Sequence, residues 1–475
     1  MISQESLFQS LTTSFAHTPT PSQSVALKLI SEYLLSENAS EKLFLLKGFA
    51  GTGKTAITNC IIQCLPLIQH YAILLAPTGR AAKVMTYFTK KKAFTIHKYI
   101  YYHKNNTKDL IFTLRKNKSQ NTLFIVDEAS MIADNDAVFG SRSLLNDLIQ
   151  FVYEGNNCKL LLIGDEAQLP PVHTTLSPAL NAEYLSYNFH KEVITTTLTE
   201  VVRQRSRSAI LRNATALRKI IFSNTPHNTF AFKLRNSPDL VQLSSGYEVQ
   251  EAISEAYDNY GSEETTLIVR ANKRAVDWNT QIRRSILDAQ DEVEAGDLLM
   301  VVKNNYYWLK DNPALNFIAN GDTIEIINIH HIREYYGFRF AEISAQLVDY
   351  PTIPPFDTVI ILDTLYSDAA ALTPTQNQEL YQSVLDEYAN EPTLYSRYQK
   401  LKEDPYYNAL QVKFSYAITC HKSQGGQWEA VFIEKPYLPP DYVIDQSYYR
   451  WLYTALTRAK QQVFLIGFND DDFAY

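Results

Sequence analysis

Three of the fifteen glycines in this 475-residue chain fall within six positions, Gly48, Gly51 and Gly53, inside the segment GFAGTGKT that runs from Gly48 to Thr55. A chain that avoids glycine and then clusters it marks a place where backbone must come close to something. The segment matches the phosphate-binding loop G-x-x-x-x-G-K-[ST], and its context is the required one: the apolar run LFLLK precedes it and the helical stretch AITNCIIQCL follows. In such a loop the backbone N–H groups of Gly48, Ala50, Gly51, Thr52 and Gly53 curl around a β-phosphate. Lys54 neutralises the β- and γ-oxygens, and the Thr55 hydroxyl holds Mg²⁺. The adjacent Gly425 and Gly426 mark a second place of close backbone approach.

Short apolar runs recur at Leu43–Leu46, Ala72–Ala76, Leu123–Val126, Leu160–Ile163, Thr265–Val269, Val431–Ile433 and Val463–Ile466. They lack strict alternation, so they suit strands covered on both faces, as in doubly wound parallel sheets. They form two groups, before about residue 200 and after about 260, which predicts two α/β domains with an insertion in the second. The insertion spans roughly 290–410. Its first part, to about 363, is rich in β-branched and aromatic residues and reads as a small antiparallel barrel or sheet. Its second part turns helical: Leu380, Val384 and Tyr388 recur at spacing four, and another helix is expected from Thr393 to Glu403. A hairpin is expected at about 99–120, where YIYYHK and LIFTLRK flank the turn-forming NNTKD.

Two further runs end in polar chemistry. LFIVDEAS places Asp127 and Glu128 at a strand end, Asp127 suited to Mg²⁺ and Glu128 to polarising an attacking water as general base. That pair favours hydrolysis over transfer to a metabolite. In LLLIGDEAQLPPV the long neutral amide of Gln168 is placed to sense a γ-phosphate, and Pro170 and Pro171 stiffen the exit.

Composition excludes little but narrows the class. At 45% hydrophobic residues, with no apolar run near the roughly 20 residues of a membrane span, the chain reads as globular. Its start lacks the pattern of a secretory signal. Cys60, Cys64, Cys158 and Cys420 lack zinc or redox spacing and read as reduced core residues of a cytoplasmic protein. A net charge of −7 argues against a non-specific basic coat for nucleic acid, but leaves a local basic channel open.

In these motifs and their order the chain resembles the superfamily 1B helicases, in the RecD-like and Dda-like branch. Gln23 in TPSQ matches the adenine-reading glutamine of that family. APTGRAA (76–82) and FTIHKYI (94–100) match its first-domain DNA motifs. LTEVVRQ (198–204) carries a phosphate-reaching arginine, Arg203. ITCHKSQGGQW (418–428) matches the DNA motif of the second domain, and YTALTRAK (453–460) carries the second arginine finger, Arg458. The resemblance covers nearly the whole chain.

The resemblance implies two RecA-like P-loop domains with parallel sheets, a β-hairpin insertion in the first and an SH3-like plus helical insertion in the second. The expected boundaries are 1–200 for the first domain, 201–289 with 411–475 for the second, 290–364 for the SH3-like part and 365–410 for a tower-like helical part. The implied activity is ATP hydrolysis with Mg²⁺ that drives 5′→3′ movement on single-stranded DNA and unwinding at duplex junctions. The implied ATP-site set includes Lys54, Asp127, Glu128, Gln168, Arg203 and Arg458, with Gly426 also at the nucleotide. Pro77, Thr78, Thr95, His97, Thr419, His421 and Lys422 are the candidate DNA contacts. The 99–120 hairpin looks like the pin that splits the duplex, with Tyr101, Tyr102 and Phe112 as candidates to stack on the last base pair. A monomer is expected, with possible repair or replication partners. No long N-terminal extension of the kind carried by some RecD-like proteins is present, so a place in a RecBCD-like nuclease complex is not implied. Two other readings stand beside this one: a motor on RNA or RNA–DNA hybrid, and a DNA-binding subunit of a larger repair or nuclease complex.

Overall fold

A computed structural model describes residues 2–15, 17–103, 112–134, 143–172, 174–201, 208–223, 230–234, 237–310, 312, 315, 317–439, 441 and 443–474. The chain divides into two compact units. Among the described residues the first holds eight strands, β1 (Lys42–Gly48), β2 (Tyr71–Ala76), β3 (Ala93–Thr95), β4 (Tyr101–His103), β5 (Phe112–Leu114), β6 (Thr122–Val126), β7 (Lys159–Gly164) and β8 (Glu192–Leu198). Six of them form one sheet in the order β3-β2-β6-β7-β1-β8, and every adjacent pair is parallel. Around it lie α1 (Gln4–Thr13), α2 (Pro21–Leu35), α3 (Lys54–Cys64), α4 (Gly79–Thr89), α5 (Ile96–Ile100), α6 (Leu144–Glu154), α7 (Ala182–Phe189) and α8 (Ala209–Ile221).

The expected apolar runs are the strands of this sheet. β6 and β7 are buried at every position, as strands covered on both faces must be. One core packs α1, α2 and α3 against one face through Leu7, Leu27, Ile30, Phe44 and Ile57, and another packs α6 on the opposite face through Leu45, Phe124, Leu148 and Val152. β8, in the run EVITTTL, was not expected: it sits at the sheet edge, half exposed, where threonines replace the apolar run.

The second unit holds α9 (Gly246–Tyr260), α10 (Asn272–Ser285), α11 (Pro374–Glu387), α12 (Leu394–Glu403) and α13 (Cys420–Ser423). Its own parallel sheet runs in the order β16 (Ala417–Thr419), β10 (Thr265–Val269), β17 (Trp428–Glu434), β18 (Ala459–Ile466), β9 (Leu240–Leu243). A closed barrel is built from β11 (Leu298–Val301), β12 (Thr323–Tyr335), β13 (Phe338–Leu347), β14 (Phe356–Ile361) and β15 (Leu410–Phe414).

Three features differ from the expected boundaries. The first unit runs to Ser237 rather than ending near residue 200, and it also takes in residues 424–426 and 443–457. Those last residues carry α14 (Gln446–Leu456), and Gln446 Nε2 donates to Ile221 O at the end of α8. Sequence order alone assigned this helix to the second domain; packing assigns it to the first. Next, the barrel does not close before the helical stretch. Its fifth strand, β15, follows α12 and was expected to belong to the second α/β domain. Finally, β14 and β15 are parallel neighbours, Ile360 opposite Leu410. Parallel neighbours cannot be joined by a tight turn and need a crossover of a dozen or more residues. The helices α11 and α12 are that crossover, and they pack Leu380, Val384 and Leu401 onto Phe338, Phe340 and Ile361 of the barrel.

Candidate nucleotide site and nucleic-acid contacts

In a parallel sheet every strand delivers its C-terminal end to the same edge, which is where α/β folds bind ligands. Because β6, β7 and β1 are neighbours, Asp127, Asp165 and the loop Gly48–Thr55 emerge side by side. The loop turns through Gly51 and Gly53, at φ 77° and 91°, into α3. At that φ a side chain on Gly53 would be strained, and its Cβ would also meet Gln23 Nε2 at 2.5 Å. Thr52 is fully buried, its hydroxyl donating to Phe49 O at 2.8 Å. Lys54 Nζ donates to Gly48 O at 2.8 Å and Phe49 O at 3.1 Å, folded back over the loop. Thr55 follows at the start of α3, half-buried.

The carboxylates crowd around that lysine. Burial and the adjacent Glu128 push the Asp127 carboxyl up to about 6, with the Lys54 charge partly offsetting them. Asp127 Oδ1 accepts from Glu128 N at 2.8 Å. Glu128 itself sits in the left-handed region at φ 52°, a conformation a non-glycine residue adopts only when its surroundings impose it. Asp165 is fully buried and its pKa too is raised by burial, against the pull of Lys54. It accepts from Ala167 N at 2.9 Å and from the Tyr453 hydroxyl at 2.6 Å. Gln168 is 4% exposed, and its Oε1 has no hydrogen-bond partner among the described residues.

Two expected nucleotide contacts are otherwise engaged. Gln23 is 1% exposed; its Oε1 accepts from Thr20 N in a capping box that starts α2, and its Nε2 donates to Thr52 O at 2.9 Å. Both ends of the amide are used by protein, so Gln23 braces the phosphate loop and would have to leave these partners to read a base. Ala50 N, expected to face phosphate, donates to the Tyr453 hydroxyl at 3.0 Å. Gly426 lies in the 424–426 segment of the first unit, beside Gly425, whose φ is 75° and whose Cβ would meet Ala81 Cβ at 2.9 Å. Arg203 lies outside the described residues. Arg458 belongs to the second unit, where it is 3% exposed at the foot of β18.

The first-domain DNA candidates occupy the same sheet edge as the phosphate loop, at the ends of β2 and β3. Pro77 and Thr78 follow β2, and Ala76 pairs with Thr95. Thr78 and Thr95 cap helices: their hydroxyls accept from Ala81 N at 3.2 Å and Lys98 N at 3.3 Å. Burial lowers the His97 imidazole to about 4, so it is neutral at physiological pH. In the second unit, Thr419 ends β16, while His421 is exposed and Lys422 lies half-buried in α13. Lys422 Nζ donates to Asn320 Oδ1 at 2.6 Å, and burial lowers it to about 8.

At the hairpin, Tyr101 pairs with Leu114, Tyr102 with Thr113 and His103 with Phe112. Residues 104–111, the rest of the expected insertion, lie outside the described residues. Tyr101 cannot serve as an exposed stacking residue: it is 8% exposed and its hydroxyl donates to the buried Asp147 at 2.8 Å. Tyr102 is on the outside, 39% exposed.

Sequence reasoning passed over Asp165, Tyr453 and Arg450. Asp165 had a signal, since it ends an apolar strand in the same way as Asp127. Tyr453 opens the motif YTALTRAK, but nothing in that motif pointed to its hydroxyl rather than to Arg458.

Residues 32–174 match the family described as the AAA domain, and residues 414–466 match the UvrD-like helicase C-terminal domain. The chain is 24% identical over 442 residues to the ATP-dependent DNA helicase dda of Enterobacteria phage T4, an alignment covering 89% of this chain and 93% of that protein. It is 30% identical over 187 residues to the ATP-dependent RecD2 DNA helicase of Deinococcus radiodurans, covering 39% of this chain and 23% of that one. Among solved structures, a Pif1 helicase described at forked double-stranded DNA aligns over 96% of this chain and 94% of its own, with 15% identity and a TM-score of 0.47. In motif order and in the two families that its segments match, the chain is similar to the superfamily 1B helicases of the Dda and RecD type.

Proposed function

We propose that this protein is an ATP-dependent DNA helicase that moves 5′→3′ along single-stranded DNA and opens duplex at a junction. The observation that carries the reading is the convergence of Lys54, Asp127, Glu128 and Asp165 at the adjoining ends of β1, β6 and β7. Direction and substrate rest on the resemblance to Dda-like helicases, supported by the 24% identity to the phage helicase over 93% of its length.

Each residue has a defined task. Lys54, now resting on Gly48 O and Phe49 O, exchanges those carbonyls for phosphate oxygens. Glu128 orients and deprotonates the attacking water. Gln168, whose amide oxygen has no partner among the described residues, orients that water or reads the γ-phosphate. Thr55 and Asp127 suit Mg²⁺: a carboxylate held above its usual range by burial, and then by the neighbouring Glu128 charge, is relieved by a divalent cation. Mg²⁺ bound there would neutralise charge on the phosphates. By family resemblance Arg203 and Arg458 stabilise the transferred phosphoryl charge, while Pro77, Thr78, Thr95, His97, Thr419, His421 and Lys422 hold the strand. The barrel is assigned the SH3-like accessory role and the α11–α12 crossover the tower role on the same basis.

The test is strand displacement with ATP on duplexes carrying a 5′ or a 3′ single-stranded tail, beside ATPase assays with DNA and RNA. Wild-type protein should unwind the 5′-tailed substrate. Lys54→Ala and Glu128→Gln should both lose turnover by orders of magnitude, the second while still binding ATP. Unwinding from 3′ tails alone would refute the polarity, and full DNA-stimulated turnover in both variants would refute the site.

A further inference from the structure

Helix α14 lies near the C-terminus of the chain but folds with the first unit, and one of its faces is built to hold the loop after β7. Arg450, Tyr453 and Thr454 share that face at spacings of three and four. The Arg450 guanidinium donates to Glu166 O and, at 3.3 Å, to Gln168 O. Thr454 Oγ1 accepts from Leu169 N at 2.9 Å. Tyr453 donates to Asp165 and accepts from Ala50 N. The loop from Asp165 to Leu169 is thus gripped along its length, and Tyr453 is the residue of this face that also reaches the phosphate loop.

We propose that Tyr453 is a positioning residue of the nucleotide site: its hydroxyl ties the Ala50 amide of the phosphate loop to the Asp165 carboxylate and holds the loop in the shape that receives the nucleotide's phosphates. The inference rests on the ATPase reading above. A phenol has one proton to give and lone pairs to accept with, and Tyr453 uses both functions on two different segments. Because hydrogen bonds are directional, this fixes the Ala50 peptide relative to the end of β7. Tyr453 is 1% exposed and Asp165 fully buried, so no water can take the hydroxyl's place without rearrangement.

Losing the hydroxyl would have a second effect. The Tyr453 hydrogen bond and the Lys54 charge both favour the ionised form of Asp165. Without the hydroxyl, more of that task falls on Lys54, whose ammonium is then drawn towards Asp165 and away from an incoming phosphate. Tyr453 acts through Ala50, Asp165 and Lys54.

The experiment is equilibrium binding of a fluorescent ATP analogue, with steady-state ATPase, for wild-type protein, Tyr453→Phe, Asp165→Asn and the double variant. Tyr453→Phe should weaken nucleotide binding and raise KM about tenfold or more, the effect expected for a lost hydrogen bond to a charged group, while kcat falls far less. Asp165→Asn keeps an acceptor for the hydroxyl and removes the charge that competes for Lys54. The double variant should therefore bind no worse than Tyr453→Phe alone, a strongly non-additive cycle. Unchanged affinity in Tyr453→Phe, even with a lower unfolding midpoint, would reduce Tyr453 to a packing residue and overturn the proposal. Tighter binding would overturn it too, by showing that the hydroxyl withholds Ala50 from the phosphates. Strictly additive effects would remove Asp165 from the chain of action. A wild-type protein that binds the analogue but does not turn it over would fail the helicase reading while leaving this binding comparison intact.

Discussion

Asp127 carries a charge that its own fold opposes. Its carboxyl is raised from an ordinary value of 3.8 to about 6, first by burial and then by Glu128. The folded state therefore holds the proton more tightly than the unfolded chain does. The stability this contributes is complete below the ordinary carboxylate range and is lost as pH rises through about 6. Two pKa units correspond to about 3 kcal/mol, an upper value for this site. Asp127→Asn keeps the oxygen that accepts from Glu128 N but cannot ionise. It should raise the unfolding midpoint of nucleotide-free protein at pH 8, with a gain that shrinks towards pH 4, and at the same time abolish turnover. A midpoint shift of equal size at both pH values would show that ionisation of Asp127 is not what the fold resists. Such a cost is expected where a side chain is kept for chemistry, and the left-handed backbone at the neighbouring Glu128 belongs to the same pattern.

At the level of elements, the β4–β5 hairpin shows how an outward-looking pattern conceals an anchor. YIYYHK presents consecutive tyrosines, and alternation sends them to opposite faces. Tyr101 turns inward to Asp147 and rests 5.9 Å, ring to ring, from His97, while Tyr102 faces out. Arg115 closes the base of the hairpin, its N donating to Ile100 O at 2.7 Å and its Nε to Tyr101 O at 2.6 Å. The two tyrosines should therefore separate in their effects. Tyr101→Phe should lower stability by about 1–3 kcal/mol through loss of its bond to a buried carboxylate, with unwinding per ATP hydrolysed unchanged. Tyr102→Ala should leave the unfolding midpoint within about 0.5 kcal/mol of wild type and reduce unwinding while single-strand-stimulated ATPase persists. If Tyr102→Ala unwinds at the parental rate, strand separation does not use this residue. A hairpin excision should spare Tyr101 and Arg115 and replace residues 104–111 alone.

At the scale of the whole molecule, the second unit carries an insertion that is not a detachable module. One continuous core joins Leu267, Val269 and Phe432 of the parallel sheet to Leu299, Ile324 and Ile343 of the barrel. The buried pair Arg283–Asp297, at 2.8 Å, ties α10 to the entry of β11, and Tyr416 adds a hydrogen bond of 3.1 Å to the same carboxylate. Arg283→Met would leave Asp297 buried without its cation, a loss of about 3–5 kcal/mol. Cutting the α11–α12 crossover to a short turn should do comparable damage, because β15 would no longer reach its parallel place beside β14. Both variants should melt at lower temperature in the second unit, read by tryptophan fluorescence from Trp278 and Trp308. A crossover deletion as stable as wild type would mean that the barrel closes without it.

What the sequence determined by itself is whatever depends on neighbours along the chain. The loop Gly48–Thr55, the acidic pair Asp127–Glu128 and the amphipathic helix over Leu380 and Val384 all declare themselves through spacing, because backbone curvature, strand exit and helix periodicity are local. The seven apolar runs became strands for the same reason: burial on both faces of a parallel sheet leaves short, continuous apolar runs, and their lengths of three to five residues are too short for helices. Arg203 and the hairpin tip, residues 104–111, were legible as motif and turn in that local sense alone. Tertiary structure decided what distant segments do to one another. Tyr453 lies 403 positions from Ala50 and 288 from Asp165, and no local pattern encodes those two hydrogen bonds. Gln23 and Tyr101 were recognisable as residue types, but burial turned their polar ends inward, because a buried amide or hydroxyl must find a protein partner. The order of strands in the barrel, with β15 arriving after two helices, was hidden too, since strand pairing is a contact between segments far apart and leaves no periodicity in either one.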